Sequence, residues 1–115
     1  MRYDDYANKL FDVKCIELNY VVSTPYTPSS YDKVVDTGGQ KLYKVQVLST
    51  NSHHISFNSN FNPEVDFFAI LFKKKMIWYT IPNIHLSHTV RLKVMRRMRP
   101  AKYSVFLANW NFKTI

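Results

Sequence analysis

A chain of 115 residues, 46% of them apolar, supports one domain around one modest core. Its single cysteine, Cys15, excludes internal disulfides and cysteine-based zinc clusters and fits a reducing compartment. The formal charge of +8 is unevenly placed: residues 1–66 carry six Lys/Arg against eight Asp/Glu, net −2, whereas residues 67–115 carry ten Lys/Arg and no acid, net +10. That polarity predicts a polyanionic partner, nucleic acid first, whether DNA or RNA. No apolar run reaches membrane-spanning length, and the opening MRYDDYANKL has neither a signal-peptide core nor a transit-peptide composition. The expectation is an intracellular protein of the cytoplasm or an organelle matrix, not secreted and with no membrane partner.

Taken in order, Met1–Asn19 is predicted to be helical. Ala7, Leu10, Phe11, Cys15 and Leu18 recur at three- and four-residue spacing, and Asp4 and Asp5 suit the positive end of the helix dipole. Cys15 falls on the apolar stripe and reads as a small buried residue. A strand, Tyr20–Ser23, follows, then a Pro/Ser/Thr loop over Thr24–Ser30.

The stretch Tyr31–Thr50 reads as a β-hairpin. Two Val/Tyr-rich runs, Tyr31–Asp36 and Lys41–Leu48, flank Asp36-Thr37-Gly38-Gly39-Gln40, which holds both glycines of the chain. Along the second run Val45 and Val47 face one way, while Lys44, Gln46 and Leu48 face the other. Asp32 stands near the start of the first run. A carboxylate beside an amide on the neighbouring strand is an oxygen donor set suited to a divalent cation.

Residues 51–63 are polar and read as irregular. His53 and His54 are adjacent, a spacing that makes two side chains diverge rather than share a metal. Asp66–Phe72, DFFAILF, is apolar on both faces and predicts a central buried strand. Lys73-Lys74-Lys75 marks a turn before the strand Met76–Ile81, which Pro82 closes. His88–Val94 alternates, with Val90, Leu92 and Val94 on one face and Thr89, Arg91 and Lys93 on the other. Met95–Lys102 is basic, with Arg96, Arg97 and Arg99. A last helix around Ala101–Asn109 is predicted from the helical spacing of Tyr103, Phe106, Leu107 and Trp110.

Three of these segments together resemble the PD-(D/E)XK nuclease superfamily, and most of all its small homing endonucleases from group I introns. They are the Y-D-x-V-V-D, glycine turn and K-V-Q-V hairpin, the V-D-F-F-A-I … I-W-Y-T-I-P pair of strands, and the closing A-N-W-N-F. The resemblance implies a restriction-endonuclease-like α/β core: a mixed sheet of about five strands with an N-terminal and a C-terminal helix, in a single domain over residues 1–115. It also implies Mg²⁺-dependent phosphodiester cleavage, with homo-oligomers as a possible assembly. Asp32 matches the motif aspartate and Gln46 the motif glutamine, the pair that would hold the metal with the Val47 carbonyl. Asn8 falls where the family's first helix carries a glutamate, and Asp12 lies one turn further on nearly the same face. Asn8 and Asp12 read equally well as a solvated helix face.

The lysine position of the motif falls on Leu48, which has no charge to offer. Two expectations follow. The first is a nucleic-acid-binding protein on an endonuclease scaffold with an impaired or lost site. It would grip phosphates through Lys73, Lys74, Lys75, Arg91, Lys93, Arg96, Arg97 and Arg99, on its own or as a structural part of a nucleoprotein assembly such as a ribosome. The alternative is a working homing-type DNA endonuclease in which Lys44, on the strand face of Gln46, supplies the relocated lysine. A third class, a protein-interaction module, would bind without regard to salt.

Overall fold

The computed structural model describes residues 4–27, 29–52, 54–56, 64–83, 89–91 and 107–114. The elements run α1 (Asp5–Glu17), β1 (Val21–Ser23), β2 (Lys33–Asp36), β3 (Leu42–Thr50), β4 (His54–Ser56), β5 (Phe67–Phe72), β6 (Ile77–Pro82) and β7 (Thr89–Arg91). Five strands form one mixed sheet in the order β1-β2-β3-β5-β6, and β4 pairs with β7 in a separate two-stranded ribbon. Within the main sheet only β3 and β5 are parallel. All other neighbours are antiparallel.

Helix α1 starts where Asp4 takes an extended conformation and accepts the Ala7 N–H through its carboxylate, an N-cap. It stops at Asn19, whose φ of 61° turns the chain left-handed while Tyr20 N–H returns to the Cys15 carbonyl. Ala7, Phe11 and Cys15, spaced four apart, lie fully buried on one stripe. They pack against Val35, Val45, Val47, Phe67, Ala69 and Leu71 of the sheet.

The β2–β3 hairpin turns as its glycines predict. Gly38 has φ of +93° and donates its N–H to Asp36 Oδ1 at 2.9 Å. Every residue of β5 is buried. Its odd-numbered side chains join the α1 side, and Phe68, Ile70 and Phe72 pack on the other side with Leu48, Val65, Tyr79 and Ile81. The continuous apolar run Phe67–Phe72 is therefore a strand covered on both faces.

Two sequence expectations need correction. The reading of residues 51–63 as irregular fails at His54–Ser56, which pairs residue for residue with Thr89–Arg91. The predicted helix around Ala101–Asn109 does not reach its last turn. Leu107 bridges to Tyr79, Ala108 has φ of 51°, and the Ala108 N–H bonds the Trp78 carbonyl. Leu107 is nearly half exposed rather than buried, whereas Trp110 and Phe112, two apart, are buried around Asn111. A turn brings both inward: the Phe112 N–H bonds the Asn109 carbonyl, and Phe112 has φ of 53°. Here the edge of β6 offers hydrogen bonds that a helix would leave unused. Trp110 closes the α1 side, with ring centroids 5.8 Å from Phe11 and 5.7 Å from Trp78. Residues 101–106 lie outside the described residues.

Candidate active site

The site forms where β2 begins. Pairing of β2 with β3 runs from Asp36–Leu42 to Lys33–Val45 and goes no further along β3. Asp32 still donates its N–H to the Val45 carbonyl at 2.9 Å. One pair later the backbone of Val47 faces the same edge with no strand opposite. The Asp32 carboxylate takes that place: its Oδ2 accepts the Val47 N–H at 2.8 Å. The early end of β2 thus fixes a carboxylate in the plane of the sheet, at a gap between strands.

Helix α1 covers this gap from the side of Val45 and Val47. Asn8 comes from it fully buried, not solvated. Its Nδ2 donates to the Asp4 carbonyl at 2.9 Å, and its side chain also bonds the Asp32 carboxylate. Among the described residues its Oδ1 has no hydrogen-bond partner. Asp4, one turn earlier, uses Oδ1 to cap α1 and Oδ2 to accept from the Ser49 hydroxyl. Burial pushes the Asp32 carboxyl above its ordinary pKa. The Val47 N–H, the Lys33 ammonium and the Asn8 amide pull it back, and the Asp4 charge pushes it up again.

Lys33 also lies on the α1 side. Its buried ammonium is 3.0 Å from both carboxylate oxygens of Asp12 and 2.8 Å from Thr24 Oγ1. Asp12 is thereby an ion-pair partner of Lys33. Behind it, burial first and the Asp12 charge second push the Cys15 thiol up to about 12.

The remaining motif residues leave β3 on the opposite face. Leu48 is buried in the cluster of Phe68, Ile70 and Tyr79, with Tyr31 packed against it. The Lys44 ammonium sits 5.3 Å from the Tyr31 ring centroid. Gln46, between them in the alternation, shares that face. The structure therefore brings Asp32 together with Asn8 and Asp4 on the α1 side, and groups Lys44 with Leu48 on the other.

Asp4 is the residue that sequence reasoning missed. It was legible as a cap, and its spacing of four from Asn8 places the two on one helix face. Among the described residues no cluster of three or more Asp, Glu, His or Cys forms. The oxygens of Asp32, Asp4 and the orphaned Asn8 Oδ1 are nevertheless hard donors of the kind that suit Mg²⁺ or Mn²⁺.

Of the basic residues, Lys73, Lys74 and Lys75 form the β5–β6 turn, the last two exposed, and Arg91 ends β7. Lys93, Arg96, Arg97 and Arg99 lie outside the described residues, as do His53, His85 and His88. No described helix is long and apolar enough to cross a membrane.

Among solved structures the chain is similar to a bacterial homing endonuclease, I-Ssp6803I, with a TM-score of 0.78 and 20% identity, covering 93% of this chain and 85% of that one. It is also similar to Hjc, a Holliday junction resolvase from the archaeal hyperthermophile Archaeoglobus fulgidus, with a TM-score of 0.56 and 10% identity, covering 70% of this chain and 82% of that one. No family model and no curated protein matches the sequence. The five-stranded mixed sheet, the single described helix laid across it and these two likenesses agree: the chain has the restriction-endonuclease-like fold of the PD-(D/E)XK-type nucleases.

Proposed function

We propose that this protein binds nucleic acid on a nuclease scaffold whose cleavage chemistry is impaired or lost. The observation that carries the reading is the absence of a free ammonium beside Asp32 among the described residues. The motif position is Leu48, packed among apolar side chains. Lys44 stands over Tyr31, and Lys33 is tied to Asp12.

Phosphodiester cleavage on this fold needs oxygen ligands, a cation beside the developing charge and a group that orients water. A divalent metal, when bound, polarises the phosphate and lowers the pKa of its water. Asp32, with Asn8 beside it and the Val47 carbonyl at the same edge, retains part of the ligand set; Gln46 is the motif's other candidate ligand. Asn8 contributes a dipole where the resembled family has a charge. Among the described residues no lysine stands free beside Asp32 to stabilise the leaving oxygen. Loss of one such electrostatic group costs about 10²–10³ in rate, and groups that act as a unit cost more together.

Phosphate binding asks for less. The ten Lys/Arg of residues 67–115, with no acid among them, are the electrostatic footprint. Lys73, Lys74 and Lys75 present it on one turn, and Arg91, Lys93, Arg96, Arg97 and Arg99 extend it along the sequence. Nucleic acid in a larger nucleoprotein assembly, a ribosome included, and a homo-oligomer reading a long DNA site both fit this charge. The nuclease neighbours support nucleic acid as the partner class.

Fluorescence anisotropy with duplex DNA and with structured RNA, across a salt series, tests the reading. The expected result is an affinity that falls steeply with salt, with no nicking of supercoiled plasmid in Mg²⁺ or Mn²⁺. Salt-independent binding would favour a protein-interaction module. Nicking abolished by Asp32→Ala and by Lys44→Met would establish the active endonuclease instead.

A further inference from the structure

We propose that Tyr26 is a base-stacking residue, its ring lying on an unpaired base of a nucleic-acid strand that runs past the Asp32 edge of the sheet. This rests on the reading of the protein as a nucleic-acid binder, and goes beyond it by naming a side chain that meets the base rather than the phosphate.

The first observation is exposure. Tyr26 is fully exposed, the most open of the large apolar side chains among the described residues. Tyr20, Tyr31, Tyr43 and Tyr79 by contrast all pack in the two core clusters. Both faces of the Tyr26 ring are free to take a planar partner.

The second is how the ring is held. Residues 24–32 join β1 to β2, and this connection is anchored on itself and on the sheet. Thr24 Oγ1 accepts from the buried Lys33 ammonium at 2.8 Å, and the Ser29 hydroxyl donates to the Thr27 carbonyl at 3.1 Å. Pro25, directly before Tyr26, has its φ fixed by its own ring. A partner that docks on a chain already restrained loses less conformational freedom on binding.

The third is place. Ser23 lies opposite Val34, so the connection leaves the sheet at the end where β2 begins, and Asp32 is its last residue. Tyr26 and Asp32 are six positions apart in the sequence. At most about 20 Å of extended chain therefore separates them, a distance that a strand rising ~3.4 Å per nucleotide covers in roughly six steps.

Chemistry names the partner. Thr24–Tyr31 holds no charged residue, so what this loop offers is a π-face and hydroxyls rather than a phosphate clamp. Every base has a π-face, and aromatic side chains stack on it without regard to sequence. Bases inside a duplex are already stacked on each other, so the ring takes an unpaired base or one at an opened step. A tyrosine that is merely solvated makes the opposite prediction: its removal changes nothing.

The test is fluorescence anisotropy of the full chain in EDTA with labelled oligothymidine, oligouridine and a blunt DNA duplex of the same length. Tyr26→Ala should weaken the better-bound single strand about fivefold or more and leave the duplex unchanged. Tyr26→Phe and Tyr26→Trp should keep the single-strand affinity. The salt slope should be the same in all of them, because no phosphate contact is lost. Oligothymidine and oligouridine tell a DNA strand from an RNA strand by which one the unmodified chain holds more tightly. Three results overturn the proposal: single-strand binding by Tyr26→Ala as tight as that of the unmodified chain, an equal loss on the duplex, or a loss in Tyr26→Phe as large as in Tyr26→Ala, which would make the contact a hydroxyl bond. If the unmodified chain binds none of the probes, the nucleic-acid reading falls and this inference with it; salt-dependent binding that Tyr26→Ala leaves untouched sinks the stacking alone.

Discussion

Asp32 Oδ2 accepts the Val47 N–H at 2.8 Å, and so a side chain occupies the position in the sheet that the early end of β2 leaves open. The contact holds a carboxylate where burial opposes its charge, and the net effect on its pKa is upward. The sign for stability follows. A carboxyl whose folded pKa lies above its unfolded value contributes most below the unfolded value, and that contribution is lost as pH rises through the folded pKa. Asp32→Asn keeps an acceptor for Val47 and removes the charge. The expected outcome in metal-free buffer is a higher Tm than the unmodified chain at neutral pH, with the difference shrinking toward acid. Thermal melts across a pH series measure it.

Lys33 and Asp12 form the second buried polar contact of the α1 side. The ammonium is almost wholly buried, while Asp12 remains about a third exposed, with side-chain exposures of 3% and 35%. Removing the acid strands a buried charge, with Thr24 as its remaining partner. Asp12→Asn should therefore destabilise by about 3 kcal/mol, the lower end for breaking a buried pair. Lys33→Met leaves Asp12 free to reach water and keeps an apolar stem against the helix, so it should cost far less. Urea melts of the two variants check the asymmetry; equal losses would mean that the pair acts as a surface contact.

Much of the fold is legible in the sequence because local pattern and tertiary demand coincide. Phe67–Phe72 has no polar residue to expose, and both of its faces are covered. Ala7, Leu10, Phe11, Cys15 and Leu18, at mixed spacings of three and four, share one side only on a helix, and Ala7, Phe11 and Cys15 are its buried stripe. The pattern fails where pairing is nonlocal. His54–Ser56 has no strand signature of its own and becomes a strand through residues 89–91. Tyr103, Phe106, Leu107 and Trp110 fit a helical period, but the edge of β6 captures Leu107 and Ala108, and a turn closed by the Phe112 N–H on the Asn109 carbonyl buries Trp110 and Phe112.

The site divides in the same way. Alternation along β3 separates Val45 and Val47 from Lys44, Gln46 and Leu48 without any structure. Which of the two faces meets α1 is a matter of packing: the valines go to Ala7 and Phe11, and Leu48 goes to Phe68 and Ile70. Asp4 looks like any acidic cap until Ser49 and Asp32 are seen beside it.

Cys15 offers a check on the α1 packing. Its thiol is fully buried, and its pKa is pushed up to about 12 by burial and then by Asp12. The thiolate is the reactive form, so the native protein should resist iodoacetamide at pH 8 while urea-unfolded chains react readily. Rapid native alkylation, read by mass spectrometry, would contradict the packing of α1 on the sheet. The raised pKa also sets a stability trend: the contribution from the neutral thiol is intact below the unfolded value and is lost as pH climbs toward the folded one.

The most direct way to repair the motif is Leu48→Lys, and the structure says what it costs. Leu48 is 8% exposed and sits in a cluster with Phe68, Ile70, Tyr79 and Ile81, with no acid among its members. An ammonium there loses its hydration without a partner, and the loss of the leucine leaves the neighbouring rings underpacked. The variant should lose at least about 2 kcal/mol of stability, measured by urea denaturation, and should gain no plasmid nicking, because its new charge enters on the face away from Asn8. Pairing it with Asn8→Glu restores the acid but not the geometry, and should nick no faster. If Leu48→Lys folds as stably as the unmodified chain and cleaves DNA with Mg²⁺, then residue 48 reaches the Asp32 side after all, and the division of β3 into an α1 face and an opposite face does not govern the chemistry.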